Sequence, residues 1–213
     1  MMRLLKDLKK CGNLLFEKGL VWGSSGNISA RGELDTFIIT GAGSNLGSLH
    51  DKDLVFCRID QDVCEGTSSP SMEVTLHRRI YQSCEGAAAI IHSQPFYSTL
   101  VACSDMPVRV DILPETMAYL GKVARVPYHH AGSRELAEAT AAEACASQVL
   151  LLDNHGVVCW ASSLGEALLK TEALEFLCRM FVVSSGGGIC LNYLGDAVMG
   201  DFARQLWSSG ESA

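Results

Sequence analysis

The sequence has no run of about 18 consecutive apolar residues, the length a membrane-spanning helix needs. Its opening, MMRLLKDLKK, carries charge where a secretory signal places its apolar centre. Basic residues nowhere run together and the net charge is −7, so no electrostatic footprint for nucleic acid or an anionic membrane is present. The expectation is a cytoplasmic protein that acts on a small molecule and has neither nucleic acid nor membrane as a partner. The nine cysteines form no C-x-x-C pair and are widely scattered, which excludes a zinc finger and a disulfide framework. They read as mostly reduced, small apolar core residues. No internal repeat or linker divides the chain, so 213 residues with 48% hydrophobic content predict one domain, residues 1–213.

Leu4, Leu5, Leu8, Cys11, Leu14 and Leu15 recur at helical spacing and stop near Gly19. Alternation and short apolar runs predict strands near 27–31, 36–40 and 54–59, together an antiparallel meander. EVTLHRRIYQS then reads as a helix, AAAIIHS as a buried strand, and PFYSTLVACS as a helix with Pro95 in its first turn. GSRELAEATAAEACA is a helix capped by Ser133. VLLLD and VVCWA are strands paired as a hairpin through the turn NHG. A helix of about six turns starts at Ser163 and stops at Gly186–Gly188, and the tail 194–207 has the pattern of one more. This arrangement predicts a three-layer α/β/α fold around a central mixed, largely antiparallel sheet.

Only six histidines are present, and two, His92 and His155, fall at the C-terminal ends of predicted buried strands. Neutral imidazoles there are suited to hold a metal; the competing reading is a pair of core histidines satisfied by backbone. Glu73 opens a helix, where the helix N-terminus favours an ionised carboxylate, although an ordinary first-turn glutamate is the commoner case. His77, one turn on, reads as a support for Glu73 or a core residue. The stretches SSGN (24–27) and TGAGS (40–44) place glycines after strands, where backbone N–H groups can converge on an anion. Neither matches the Walker or dinucleotide pattern, and each alone reads better as a tight turn.

Six segments occur in one order: GLVWGSSGNISAR, FIITGAGSNLGSL, SMEVTLH, AAAIIHSQPFYSTLVA, LPETMAYLGKVARVPYHHAGSRELAEA and VLLLDNHGVVCWASSLGEALLKTEALEF. Over residues 5–185 the chain resembles the class II aldolase and adducin head-domain family. The resemblance implies a divalent metal, usually zinc, held at His92, Gln94 and His155, with Glu73 as a further ligand and the proton-transfer group. Gln94 stands where the family pattern has histidine, and an amide oxygen is a weaker zinc ligand that suits manganese or magnesium better. Asn27, Gly43, Ser44 and Ser71 fall on the family's phosphate-binding positions, while Ala42 and Met72 replace hydroxyl residues there. Leu113 falls about where some aldolases supply a proton-transferring tyrosine; Tyr119 is the nearest phenol, and His129 and His130 are further candidates.

The implied function is an aldolase that cleaves a short ketose phosphate to dihydroxyacetone phosphate and an aldehyde through a metal-stabilised enediolate. A β-keto acid decarboxylase of the 3-oxo-tetronate phosphate type would use the same site, and GSNLGSL and SMEVTLH resemble those enzymes more closely. An adducin-like interaction module, without metal or catalysis, is the reading from a different class. The family also implies a homotetramer with the active site where subunits meet.

Overall fold

The computed structural model describes residues 1–210. Eight strands form one sheet in the order β4-β3-β2-β1-β5-β8-β7-β6: β1 (Asn27–Arg31), β2 (Thr36–Thr40), β3 (Leu54–Arg58), β4 (Cys64–Glu65), β5 (Ala89–Ser93), β6 (Val123–Val126), β7 (Val149–Leu152) and β8 (Gly156–Ala161). All neighbours are antiparallel except β6 and β7, so the sheet is mixed and largely antiparallel, as expected.

Helices cover both faces. On one lie α2 (Val74–Ser83) and α5 (Arg134–Ala144), packed on Phe37, Ile39, Val55, Ile90, Leu150 and Val158. On the other lie α1 (Met2–Glu17), α3 (Phe96–Ala102), α4 (Pro114–Leu120) and α6 (Leu164–Gly187), packed on Ile28, Ile38, Ile91, Leu151 and Val157. This is the three-layer α/β/α arrangement. Strand alternation produces it, because Phe37 and Ile39 point to the α2 layer while Ile38 between them points to the α1 layer. A final helix, α7 (Asp196–Gly210), follows Gly195. No helix among the described residues is long and apolar enough to cross a membrane.

Local signals set the boundaries. Gly19 takes the left-handed conformation (φ 67°) just past α1, and Gly188 does the same (φ 66°) after α6. The Ser133 and Ser163 hydroxyls accept the N–H groups of Leu136 and Glu166, capping α5 and α6. Pro95 lies one residue outside α3 rather than in its first turn, where its missing N–H again costs nothing. Elements with no sequence signal are β4, α4 and β6, each between two and seven residues long.

The cysteines depart from the expectation in part. Cys57 and Cys64 face each other across β3 and β4 and are joined by a disulfide. They are direct cross-strand partners on a two-residue edge strand, a juxtaposition that spacing alone does not reveal. Cys11, Cys84, Cys159 and Cys178 are free and buried as expected, whereas Cys103, Cys145 and Cys190 are free and exposed.

Candidate metal centre

One end of the sheet gathers the polar residues. Asn27 at the start of β1 is paired in register with His92 near the end of β5, and His92 in turn with Val158 of β8. The β7–β8 hairpin turns through Asp153, Asn154 and His155, with Asn154 in the left-handed region (φ 55°), and this delivers the His155 ring beside His92. Glu73 is the N-cap residue of α2, yet its carboxylate makes no cap hydrogen bond. It turns instead into the sheet end, where Oε2 lies 3.0 Å from His92 Nε2 and Oε1 lies 3.0 Å from His155 Nε2. The expected placement of Glu73, His92 and His155 in one cleft is therefore met. Their ligand atoms all lie within 4.8 Å of one another.

The protonation pattern suits a cation. His92 Nδ1–H donates to the Val157 carbonyl at 3.0 Å, which leaves Nε2 as a bare lone pair facing a carboxylate oxygen. Two acceptors at that separation repel unless a proton or metal lies between them. Burial alone would raise the Glu73 carboxyl, but positive charge on His92 and His155 and the Asn27 hydrogen bond hold it well below the usual carboxylate range, and a cation at the same place would take over that role once the imidazoles are neutral. Burial pushes His92 below its ordinary value against the pull of Glu73. An anionic carboxylate beside a neutral imidazole is the state in which both can ligate a metal.

Three buried polar atoms of these residues lack hydrogen-bond partners. Glu73 Oε1 accepts no hydrogen bond, and His155 Nδ1 and Gln94 Oε1 have none either. The Gln94 nitrogen lies 2.7 Å from His92 Nε2, so the amide reaches the centre, but not through the oxygen that the expected ligand role requires. It presents nitrogen rather than oxygen there; a half-turn of the amide exchanges the two at no steric cost. The donor set of two imidazoles and one carboxylate fits a divalent ion. Close packing enforces it, since a Cβ on Gly156 would lie 2.6 Å from the Ser93 carbonyl and 3.0 Å from Gln94 Cγ.

A cleft of about 430 Å3 opens over the centre, lined by Trp22, Ser24–Asn27, Gly41–Gly43, Ser71–Glu73, His92, Gln94, Ala131 and His155. Of the four expected phosphate contacts, Asn27, Gly43 and Ser71 line it and Ser44 does not. The backbone N–H groups of Gly41, Ala42 and Ser44 are taken by Asp53, Ser69 and Gly41 carbonyls, leaving Gly43, at φ 72°, as the amide of that loop available to an anion. Among the described residues, no lysine or arginine lines the cleft. Leu113 is the N-cap of α4, and neither it nor Tyr119, His129 or His130 reaches the cleft lining; His130 Nδ1 instead meets the Tyr128 hydroxyl at 3.2 Å.

Sequence reasoning offered His77 as a support for Glu73 but missed the file of side chains through which it would act. Asn27 Nδ2 donates to Glu73 Oε2 at 2.9 Å, and behind it stand His77, Ser29 and Tyr81 in hydrogen-bonded sequence. The available signal was the alternation of Asn27 and Ser29 on one face of β1, opposite Glu73, His77 and Tyr81 at four-residue spacing on α2.

Comparison with known proteins agrees with this geometry. The chain is 33% identical over 187 residues to an L-fuculose phosphate aldolase of Methanococcus maripaludis, covering 88% of this chain and 99% of that one. It is 32% identical over 198 residues to a 3-oxo-tetronate 4-phosphate decarboxylase of Haemophilus influenzae, covering 91% and 93%. The crystal structure of YgbL from Klebsiella pneumoniae superposes with a TM-score of 0.88 at 30% identity, over 94% of this chain and 98% of that one. Residues 6–182 match the family model of the class II aldolase and adducin N-terminal domain. With that match spanning both layers of helices and every residue of the centre, the chain belongs to the class II aldolase and adducin N-terminal domain family.

Proposed function

We propose that this chain, acting as one class II aldolase-like domain, is a metal-dependent carbon–carbon lyase that splits a short ketose phosphate into dihydroxyacetone phosphate and an aldehyde. One observation carries the reading: an ionised Glu73 carboxylate 3.0 Å from each of two imidazoles, one with an unprotonated nitrogen turned toward it. His92, His155, Gln94 and Glu73 are the residues that would hold the ion, zinc first, with manganese or magnesium admitted by the Gln94 oxygen. The bound ion supplies Lewis-acid polarisation of the substrate's carbonyl and hydroxyl oxygens. Glu73 moves the proton at the substrate carbon, as the base in the synthetic direction and, once protonated, as the acid that completes cleavage. Gly43 N–H and the Ser71 hydroxyl hold the substrate's anionic end with neutral donors. Ser44 would contribute only through a shift of its loop.

Decarboxylation of a 3-oxo acid phosphate is the second reading. The exposed Met72 on the cleft wall, where an aldolase offers a hydroxyl, favours it. We further infer a cytoplasmic homotetramer with the cleft at a subunit boundary; Trp22 and Met72, 69% and 72% exposed, line the cleft and leave apolar surface there for a second copy to cover.

The test is metal content and product formation in the wild type and in Glu73→Gln. Wild-type protein is expected to bind one zinc or manganese per chain and to release an aldehyde from a ketose 1-phosphate; Glu73→Gln is expected to release none. Carbon dioxide from a 3-oxo acid phosphate, without aldehyde from the ketose phosphate, would select the decarboxylase. A wild type that takes up neither ion would leave only the non-catalytic, adducin-like module.

A further inference from the structure

Asn27, Ser29, His77 and Tyr81 form a file of buried polar side chains running from the metal centre into a layer otherwise filled by Phe37, Ile80 and Ile90. A buried polar group without a partner is costly, so such a file persists only when each member is satisfied by the next. Here the satisfaction is directional. Ionised Glu73 can only accept, so Asn27 must turn its nitrogen to Oε2, at 2.9 Å. The Asn27 oxygen then faces His77 Nε2 at 2.6 Å, and that nitrogen must carry the proton. The ring is fully buried between Asn27 and Ser29 with no carboxylate hydrogen-bonded to it, so it stays neutral and Nδ1 is a lone pair. Ser29 Oγ–H donates to that lone pair at 2.6 Å, and the Tyr81 hydroxyl donates to Ser29 Oγ at 2.8 Å. The other tautomer of His77 would turn the Asn27 amide over and set its oxygen against the Glu73 carboxylate.

We propose that His77 is a positioning residue for the metal centre: its Nε2–H fixes the Asn27 amide, which holds Oε2 of Glu73 against His92 in the orientation that ion binding requires. The proposal rests on the metal-lyase reading above and deepens it. It also changes the role of Asn27, whose oxygen and one N–H are committed inward, leaving a single N–H for any substrate anion.

The experiment has two arms. In the first, nitrogen–proton correlation of the histidine side chains in the wild-type protein reads the tautomer of His77 directly. An Nε2–H ring is expected, and an Nδ1–H ring overturns the proposal without any substitution. In the second arm, wild type, His77→Met and His77→Gln are titrated calorimetrically with zinc and with manganese. His77→Met should weaken affinity by about 10- to 100-fold, and His77→Gln, whose amide nitrogen reaches the Nε2 position, should recover to within about threefold of wild type. Equal weakening by both variants would reduce His77 to packing, and no weakening by either would remove it from the centre; each outcome overturns the proposal while leaving the lyase reading intact. Should His77→Met fail to fold, His77→Asn replaces it, because that amide falls at the Nδ1 position and is expected to bind as weakly. A wild type that binds neither ion overturns the lyase reading and this role together.

Discussion

Gln94 brings an amide 2.7 Å from His92 Nε2 while its oxygen stays buried without a partner. Gln94→His would complete a three-imidazole set, and zinc affinity is expected to rise by roughly tenfold or more. Competition against a chromophoric chelator measures it; unchanged affinity would remove position 94 from the ligand set. His77 gives a second prediction, for pH. Its proton is bound in the folded chain only near about 3, against an ordinary 6.5 once unfolded. Between those values the unfolded chain binds more protons, so stability is full above 6.5 and falls as pH drops, by about 1.4 kcal/mol per unit. Urea titrations at pH 7 and 5.5 should show a steeper loss for wild type than for His77→Gln. Parallel losses in the two proteins would mean that His77 does not titrate this way.

At the scale of elements, the centre depends on how closely β5 and β8 approach. Gly156→Ala would place a methyl carbon 2.6 Å from the Ser93 carbonyl and press on Gln94, with an expected cost of about 1–3 kcal/mol. The urea midpoint should fall with an unchanged slope, and metal affinity should fall with it. Most elements were legible: α1, β1, β2, β3, α2, β5, α5, the β7–β8 hairpin and α6 each carry either a period of many residues or an explicit cap and stop. The elements that escaped have neither. Val123–Val126 is four residues of an edge strand held by parallel pairing with a segment 26 residues away, and Pro114–Leu120 is two turns whose apolar spacing is too short to register. The disulfide belongs here too, since only the β3–β4 register brings Cys57 opposite Cys64.

For the molecule as a whole, Trp22 and Met72 on the cleft wall and Phe96 at the start of α3 remain exposed in the isolated chain. Light scattering at micromolar concentration is expected to give the mass of a tetramer, and Trp22→Ala with Phe96→Ala to shift it toward smaller species. A monomeric wild type would contradict that assembly. The sequence by itself determined the layer architecture, because alternation in β1 and β3 and the continuous apolar runs of β2 and β5 mark strands of a covered sheet, and the helical periods supply the covers. Placement at element ends made Glu73, His92 and His155 candidates, and the order of the six family-like segments singled them out from the competing reading of satisfied core residues. Only the tertiary structure decided how those groups are protonated and oriented. The Val157 carbonyl strips His92 Nε2 of its proton, and the Asn27–His77–Ser29–Tyr81 file orients Glu73. Both depend on cross-strand register and on α2 lying over β1, contacts between residues 46 to 65 positions apart that no local pattern encodes.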